Sequence, residues 1–385
     1  MNFTALRKFL IPETIFGIGA VDLVGQYAEK FGTKKPLVVT DAGVVEAGWT
    51  TRVMESLAAF DIHGVLFSEV TPNPKTAEVM AGVAVYTAHE CDGIVAVGGG
   101  SPMDCAKGIG IVVSNGGHIL DYEGVDKIII PMPPLICIPT TAGTSADMSQ
   151  FAIINNTERK TKITIISKTI VPDVALIDPQ TLMTKSQYLI ACTGMDALAH
   201  AIEAFVSSAH SVMTDVHALE AIRLVHGNLL DSFKHREDME LKAKIMLGSM
   251  QAGMAFSNAS LGAAHAMAHS LGGYNGLPHG ECNALLLPHV VDYNFSAEPE
   301  RFRIIAETMG LDPRGMSASE IRSWLIKSLT DLRSALGIKE TLSSKGIRSS
   351  DIPELSDKAV LDPCLVTNPK AANKRDIQII YEEAT

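Results

Sequence analysis

Two periodicities divide this 385-residue chain. Up to about residue 185, short apolar runs alternate with stretches of helical spacing at 46–59 and 76–90. The runs are Pro-Leu-Val-Val-Thr at 36–40, Gly-Val-Leu-Phe at 64–67, Gly-Ile-Val-Ala-Val-Gly at 93–98, Leu-Ile-Cys-Ile-Pro at 135–139 and Val-Ala-Leu-Ile-Asp at 174–178. Near-continuous apolar strands separated by helices predict a parallel sheet covered on both faces. After Ser186 the pattern becomes long segments of 3.6-residue period, among them 211–232, 238–257 and 316–336, with few β-branched runs, which predicts helices. The expectation is an α/β N-terminal domain, doubly wound around a mostly parallel sheet, over 1–185, and an all-α C-terminal domain over 186–385. The first nineteen residues carry a basic pair and apolar positions, but Pro12 and Glu13 interrupt them and no small-residue cleavage site follows. They read as a first strand, not a leader.

Gly98, Gly99 and Gly100 close the 93–98 run ahead of a helical stretch. Such glycines let backbone approach a ligand, and the amides opening the next helix face an anion with donors and a positive dipole end. That is a seat for a diphosphate, although many strand-to-helix turns carry glycines for steric reasons alone. No Gly-Lys-Ser/Thr ending follows, which excludes a Walker loop, and the Gly17-Ile-Gly19 segment has Asp22 where a dinucleotide fingerprint needs a third glycine. Asp41, after the 36–40 strand, is placed either to accept hydrogen bonds from an adenosine ribose and repel a 2′-phosphate, or to form the turn before Gly43. Thr140, Thr141, Thr144 and Ser145 flank Gly143, a row of hydroxyls suited to a phosphate or a nicotinamide ribose, or to capping a helix.

The densest chemistry lies further on. Asp196 and His200 stand four apart in Gly-Met-Asp-Ala-Leu-Ala-His, and His265 and His269 repeat the spacing, so each pair shares a helix face. His279 follows after a glycine- and proline-containing stretch that must turn the chain back. Three histidines within fifteen residues of an almost uncharged segment are hard to reconcile with a solvated surface. Burying them beside a carboxylate without partners costs roughly several kcal/mol, and one divalent ion satisfies them together. Five candidate ligands, Asp196, His200, His265, His269 and His279, serve four or five positions. Imidazoles with one carboxylate suit Fe(II), Zn(II), Co(II) or Mn(II), not calcium or magnesium, and a position left open makes such an ion catalytic.

Composition narrows the class. A chain with 46% hydrophobic and 19% charged residues describes an ordinary globular protein with room for two cores. No uninterrupted apolar run approaches the ~18 residues of a membrane helix, and a net charge of −11 disfavours nucleic acid and anionic membranes as partners. Cysteines 91, 105, 137, 192, 282 and 364 form no Cys-x-x-Cys pair and read as buried free thiols of a reducing cytoplasm.

Taken together, these segments resemble the iron-containing (group III) alcohol dehydrogenases. The resemblance runs nearly end to end: Thr-Pro-Asn-Pro at 71–74, Gly-Gly-Gly-Ser-Pro-Met-Asp-Cys-Ala-Lys at 98–107, Ile-Pro-Thr-Thr-Ala-Gly-Thr-Ser-Ala-Asp at 138–147, Asp178-Pro179, 194–204, the histidine segment 262–280 and Asp-Pro-Cys-Leu-Val-Thr-Asn-Pro at 362–369. It implies that Asp196, His200, His265 and His279 bind the metal and that His269 sits beside it near the nicotinamide. It further implies that Asp41, Asn73, Gly99, Gly100, Ser101, Asp104, Thr140, Thr141, Thr144 and Lys162 line the site of an NAD cofactor, and that the chain self-associates. The three histidines favour Fe(II), with Zn(II) as the other ion to consider. Ser145, Ala146 and Asp147 depart from the Gly-Ser-Glu more usual in the family, and Lys370 stands where arginine commonly follows Asn-Pro; neither touches the metal residues.

The implied reaction is hydride transfer between a small primary alcohol or diol, or its aldehyde, and NAD(H), in a cleft between the domains. His269 is the candidate catalytic residue, a proton relay one turn from His265, unless it only packs under the nicotinamide ring. Phe151, Met254 and Phe256 are candidates for the apolar substrate pocket. A dehydroquinate-synthase-like lyase and a zinc-dependent glycerol-type dehydrogenase are the alternatives. The lyase must hold a phosphate and a carboxylate, yet 186–210 and 253–290 contain no arginine or lysine.

Overall fold

A computed structural model describes residues 8–159 and 161–385. Two compact units result, one of Leu10–Lys185, the other of Ser186–Thr385 together with the N-terminal residues up to Phe9. Residues 1–7, part of the stretch expected to begin the first strand, lie outside the described residues. Phe9 stacks on His217 of the helical unit, with ring centroids 5.4 Å apart.

The α/β unit is built on strands β1 (Glu13–Phe16), β2 (Pro36–Val39), β3 (Val65–Phe67), β4 (Gly93–Gly98), β5 (Gly124–Val125), β6 (Leu135–Pro139), β7 (Phe151–Asn156), β8 (Thr161–Ile166) and β9 (Val174–Ile177). Six of them form a wholly parallel sheet in the order β1-β9-β6-β4-β2-β3. Alternate strand residues feed two cores, as a two-sided sheet requires. Leu37, Val39, Ile94, Ala96, Leu135 and Cys137 pack with α4 (Thr76–Ala88) and α5 (Gly100–Asn115) on one face. Val38, Val95, Val97, Ile136, Ile138 and Val174 pack with α1 (Val24–Lys30) and α3 (Trp49–Ala58) on the other.

The helical stretch at 46–59 is two helices, because Gly48 takes φ 82 between α2 (Ala42–Glu46) and α3. A second, three-stranded sheet, β5-β8-β7, was not anticipated. Its β7 and β8 form an antiparallel hairpin that pairs Phe151 with Ile166 and Asn156 with Thr161.

The other unit is helical: α6 (Gln187–Val206), α7 (Val212–Lys234), α8 (Met239–Ala259), α9 (Ala263–Asn275), α10 (His279–Asn294), α11 (Pro299–Thr308), α12 (Ala318–Ala335), α13 (Ile352–Ala359) and α14 (Lys374–Ala384). Helix α6 is its centre. Ser186 caps it through the Leu189 amide, and every residue from Gly194 to Val206 is buried. An Ala/Gly-rich surface lets neighbours approach closely: at Gly280 a Cβ would meet the Cys192 carbonyl at 2.4 Å, and at Gly194 it would meet Leu229 at 2.3 Å. By length and composition α6 is apolar enough to cross a bilayer, but 89% of its apolar window is buried inside the protein, and Asp196, His200 and Glu203 break the run.

Candidate metal centre and cofactor seat

In the helical unit, Asp196 and His200 lie on α6, His265 in the first turn of α9, and His279 opens α10. One ligand atom from each of these four lies within 4.8 Å of all the others. Asp196 Oδ1 is 3.7 Å from His265 Nε2 and equally 3.7 Å from His279 Nε2. Ligands about 2.1 Å from a tetrahedral ion stand about 3.4 Å apart, so a small contraction closes the set around one divalent cation. Asp196, His200 and His265 are each at most 3% exposed. The His200 ring lies between His265 and Phe256, with centroids 4.3 Å away on both sides.

The electrostatics of this cluster call for positive charge. Burial works to raise the Asp196 carboxyl, but the facing His200 and His279, with His265 by hydrogen bond and charge, hold it far below the usual carboxylate range. Desolvation pulls the His265 imidazole down, yet hydrogen bonds to Asp196 and Glu203 and their charges lift it to about 9. A buried carboxylate pair around imidazoles is a field that a cation satisfies.

Three residues that the sequence reading did not single out complete the surroundings. Glu203 Oε2 lies 2.5 Å from His265 Nδ1, and its Oε1 accepts the Ala264 amide at 2.6 Å. Asn283 donates from Nδ2 to Asp196 Oδ1 at 2.7 Å and lies 3.1 and 3.2 Å from Nε2 of His265 and His279. Each imidazole Nε2 has one lone pair, so a cation that takes both leaves Asn283 its bond to Asp196. Its Oδ1 is buried without a hydrogen-bond partner among the described residues. Asp362 accepts from His269 Nδ1 at 2.8 Å and, through its other oxygen, from the Cys364 amide at 2.8 Å.

His269 stands apart from the four-residue set. Its ring stacks on His279 at 5.2 Å, and it groups with Asp362 and Cys364. Burial would raise the Asp362 carboxyl, but the charge and hydrogen bond of His269 outweigh it and leave it lowered.

In the α/β unit Asp41, Asn73, the glycine turn with Ser101, and the threonines follow the carboxyl ends of β2, β3, β4 and β6, whereas Asp104 lies on α5 and Lys162 near the start of β8. The chain leaves β2 for β3 on one side and β4 for β6 on the other, so the topological switch falls between β2 and β4, where open α/β sheets bind ligands. Gly98–Ser101 follow β4 at this point. Gly99 is the N-cap of α5 without a side-chain cap, so the first amides of a sixteen-residue helix are open to an anion. A Cβ on Gly99 would meet Thr141 at 3.1 Å and one on Gly100 would meet Thr144 at 3.0 Å, so both threonines lie directly over the glycine turn. Thr140 is tied by its amide to the Gly98 carbonyl at 2.8 Å, and its buried hydroxyl has no hydrogen-bond partner among the described residues.

Asn73, in the left-handed region at φ 57, donates its amide to Ser101 Oγ at 3.2 Å. Asp104 is partly exposed by area but densely surrounded. Burial pushes it up to about 7 against the opposing charge of Lys107, a backbone hydrogen bond from Ile153 and the charge of Lys162. Asp41 caps α2, its Oδ1 accepting the Val44 amide at 2.9 Å, which realises the turn-forming role weighed for it. The uncapped helix end, the orphan hydroxyl and the space kept by Gly99 and Gly100 fit a ligand carrying phosphate and ribose oxygens.

The chain matches the family model for iron-containing alcohol dehydrogenases over residues 12–179 and that for the C-terminal part of the Fe-containing alcohol dehydrogenase family over 190–385. It is 39% identical over 379 residues to a 1,3-propanediol dehydrogenase of Klebsiella pneumoniae, covering 98% of both chains. The crystal structure of a 1,3-propanediol oxidoreductase superposes with a TM-score of 0.96 at 39% identity, covering 99% of this chain and 100% of that one. A sulfoacetaldehyde reductase from Bifidobacterium kashiwanohense, solved in complex with NAD+, gives 0.87 at 27% identity, covering 99% of each chain. With both of its halves matched, the chain belongs to the iron-containing alcohol dehydrogenase family.

Proposed function

We propose that this protein transfers hydride between a small primary alcohol or diol, or the corresponding aldehyde, and NAD(H), with a divalent iron held by Asp196, His200, His265 and His279. The observation that carries the reading is the convergence of those four ligand atoms within 4.8 Å, three of them on buried residues and His279 partly buried. The names of the relatives agree, one acting on 1,3-propanediol and another holding NAD+. Bound here, the cation supplies Lewis acidity at the substrate oxygen and the nicotinamide takes up or gives the hydride.

The side chains do the rest. Asp196, kept ionised by its imidazole neighbours, supplies the anionic oxygen, and Asn283 fixes that oxygen by hydrogen bond. Phe256, stacked on His200, excludes water from one side of the set. His269 gives its Nδ1 hydrogen to Asp362, which turns Nε2 into the atom able to take or return a proton. On the cofactor side, the amides opening α5 would hold the diphosphate, Thr140, Thr141 and Thr144 would offer hydroxyls to the cofactor, and Ser101, Asn73, Asp104 and Lys162 would line that seat. Asp41 follows β2, the strand beside β4, and even while it caps α2 its negative charge would disfavour a 2′-phosphate there.

The lyase alternative is not favoured, since the segments around the ligand residues carry no arginine or lysine for an anionic substrate. Six free, buried thiols support a reducing compartment. Anaerobically purified protein, given Fe(II), NAD and a panel of short alcohols and diols, should generate reduced cofactor, and a chelator should stop it. No reduced cofactor with any of them would refute the proposal.

A further inference from the structure

Asp196, His200 and Glu203 occupy positions i, i+4 and i+7 of α6 and so form one stripe facing α9 and α10. The first two point ligand atoms at the cation position; Glu203 points at the back of a ligand. Its Oε2 is 2.5 Å from His265 Nδ1, while His265 Nε2 faces Asp196 Oδ1 at 3.7 Å. We propose that Glu203 is the positioning residue of the metal centre: it fixes His265 with its hydrogen on Nδ1 and its lone pair on Nε2 toward the cation, and supplies the second negative charge that neutralises a buried divalent ion. The proposal rests on the reading that the four residues hold a cation.

The hydrogen-bond accounting leads there. A carboxylate only accepts, and Glu203 Oε1 already takes the Ala264 amide at 2.6 Å, so Oε2 is the acceptor left for His265. Nδ1 must then donate, so in the neutral ring that a cation requires Nε2 carries the lone pair. Turning the ring over would exchange Nδ1 with Cδ2 and Nε2 with Cε1, setting carbon against both contacts and stranding a 3%-exposed carboxylate. Charge balance agrees. Asp196 alone leaves a divalent cation one unit short of neutrality in a set whose members His200 and His265 are buried, and Glu203, itself buried, closes the difference.

The backbone has been shaped to admit this contact. A Cβ on Gly262 would meet Glu203 Oε1 at 3.0 Å and Asn368 Oδ1 at 2.7 Å. Those two oxygens take the consecutive amides Ala264 and Ala263 at the start of α9. Asn368 therefore caps α9 without touching a ligand, whereas Glu203 caps it and holds one. This difference separates positioning from capping.

The test compares Glu203→Gln with Asn368→Ala in full-length protein stripped of metal and titrated anaerobically with Co(II) against a competing chelator. Glu203→Gln should weaken Co(II) binding by about 10–100-fold, the usual effect of losing a ligand's outer partner, and shrink the rise in melting temperature on loading. Asn368→Ala should lower the melting temperature of the metal-free protein and leave Co(II) affinity within about twofold of wild type. Equal weakening in both variants would reduce Glu203 to a cap and overturn the proposal, as would wild-type affinity in Glu203→Gln. His200→Ala separates the layers. Unchanged Co(II) binding there, or none in the wild type, overturns the four-ligand reading and the role of Glu203 with it. Unchanged binding in Glu203→Gln alone overturns only the latter. Should Glu203→Gln fail to fold, side-chain 15N spectra of Zn(II)-loaded wild type decide: His265 protonated on Nδ1 is expected, and protonation on Nε2 overturns the assignment.

Discussion

Lys107→Met would probe how the glycine turn and the threonine loop are held together. Lys107 is 0% exposed, and its Nζ donates to the carbonyls of Ala146, Ser149 and Phe151 at 2.6, 2.7 and 2.8 Å. These three donors stitch α5, whose first turn is the proposed diphosphate seat, to the loop between β6 and β7 that carries Thr140, Thr141 and Thr144. Methionine keeps the length of the chain and removes every donor. A buried acceptor left unpaired costs about 1–3 kcal/mol, so three place the gross loss at ~3–9 kcal/mol. Against this, the native fold no longer has to desolvate an ammonium, whose pKa burial lowers despite the charge of Asp104. Carbonyls at the loop can also turn partly toward water. A net loss of ~2–4 kcal/mol follows, with faster amide exchange across 141–150 and weaker NAD binding while Co(II) affinity stays unchanged. The assay is hydrogen exchange of the cofactor-free protein alongside NAD titration. A variant with native protection in 141–150 and native NAD affinity would refute the clamp.

Other outcomes follow from the same geometry. Asp41→Gly should gain activity with NADP and lose only a few tenths of a kcal/mol, since glycine is a tolerable N-cap; an unchanged cofactor preference in steady-state kinetics would remove the basis for assigning NAD specificity to Asp41. Burial pushes Asp104 up to about 7 in the fold from an ordinary 3.8, so the unfolded chain releases its proton first and the wild type loses stability as pH rises from about 4 to about 7. That shift of roughly three units sets a ceiling of ~4 kcal/mol. Asp104→Asn should therefore equal wild type near pH 4 and exceed it at pH 8 in denaturant midpoints, and a pH-independent difference would contradict the cause given. Gly100→Ala drives a methyl to 3.0 Å from Thr144 and should raise the KM for NAD several-fold with metal affinity intact; an unchanged KM would place the cofactor elsewhere.

Much of this site can be read from spacing alone. Asp196 with His200, four apart on one helix, announces a shared face, and so does His265 with His269; yet the fold uses only the first member of the second pair in the four-residue set and turns His269 to Asp362. Asn283 stands four residues after His279 on α10, and Glu203 three after His200 on α6, so the same rule was available for both. Neither an amide nor a second acid stands out among ordinary helix residues, so spacing alone does not mark them. Asp362 lies 93 residues from His269 and carries no local signal of that pairing. In the fold, the parallel strands were legible because they are apolar on both faces. The β7–β8 hairpin was not, since its strands mix apolar residues with Asn, Thr and Lys, are buried without a regular period, and are joined by a polar segment with no Asn-Gly or Gly-Gly mark.

The most direct test of the account is X-ray absorption at the iron edge of the Fe(II)-loaded, anaerobic protein. One ion per chain in a shell of imidazole nitrogens and carboxylate oxygen near 2.0–2.2 Å, without sulfur, is the predicted spectrum. Sulfur scattering, which would move the ion to the cluster of His269, Asp362 and Cys364 or to Cys282, or iron that washes out entirely, would contradict it.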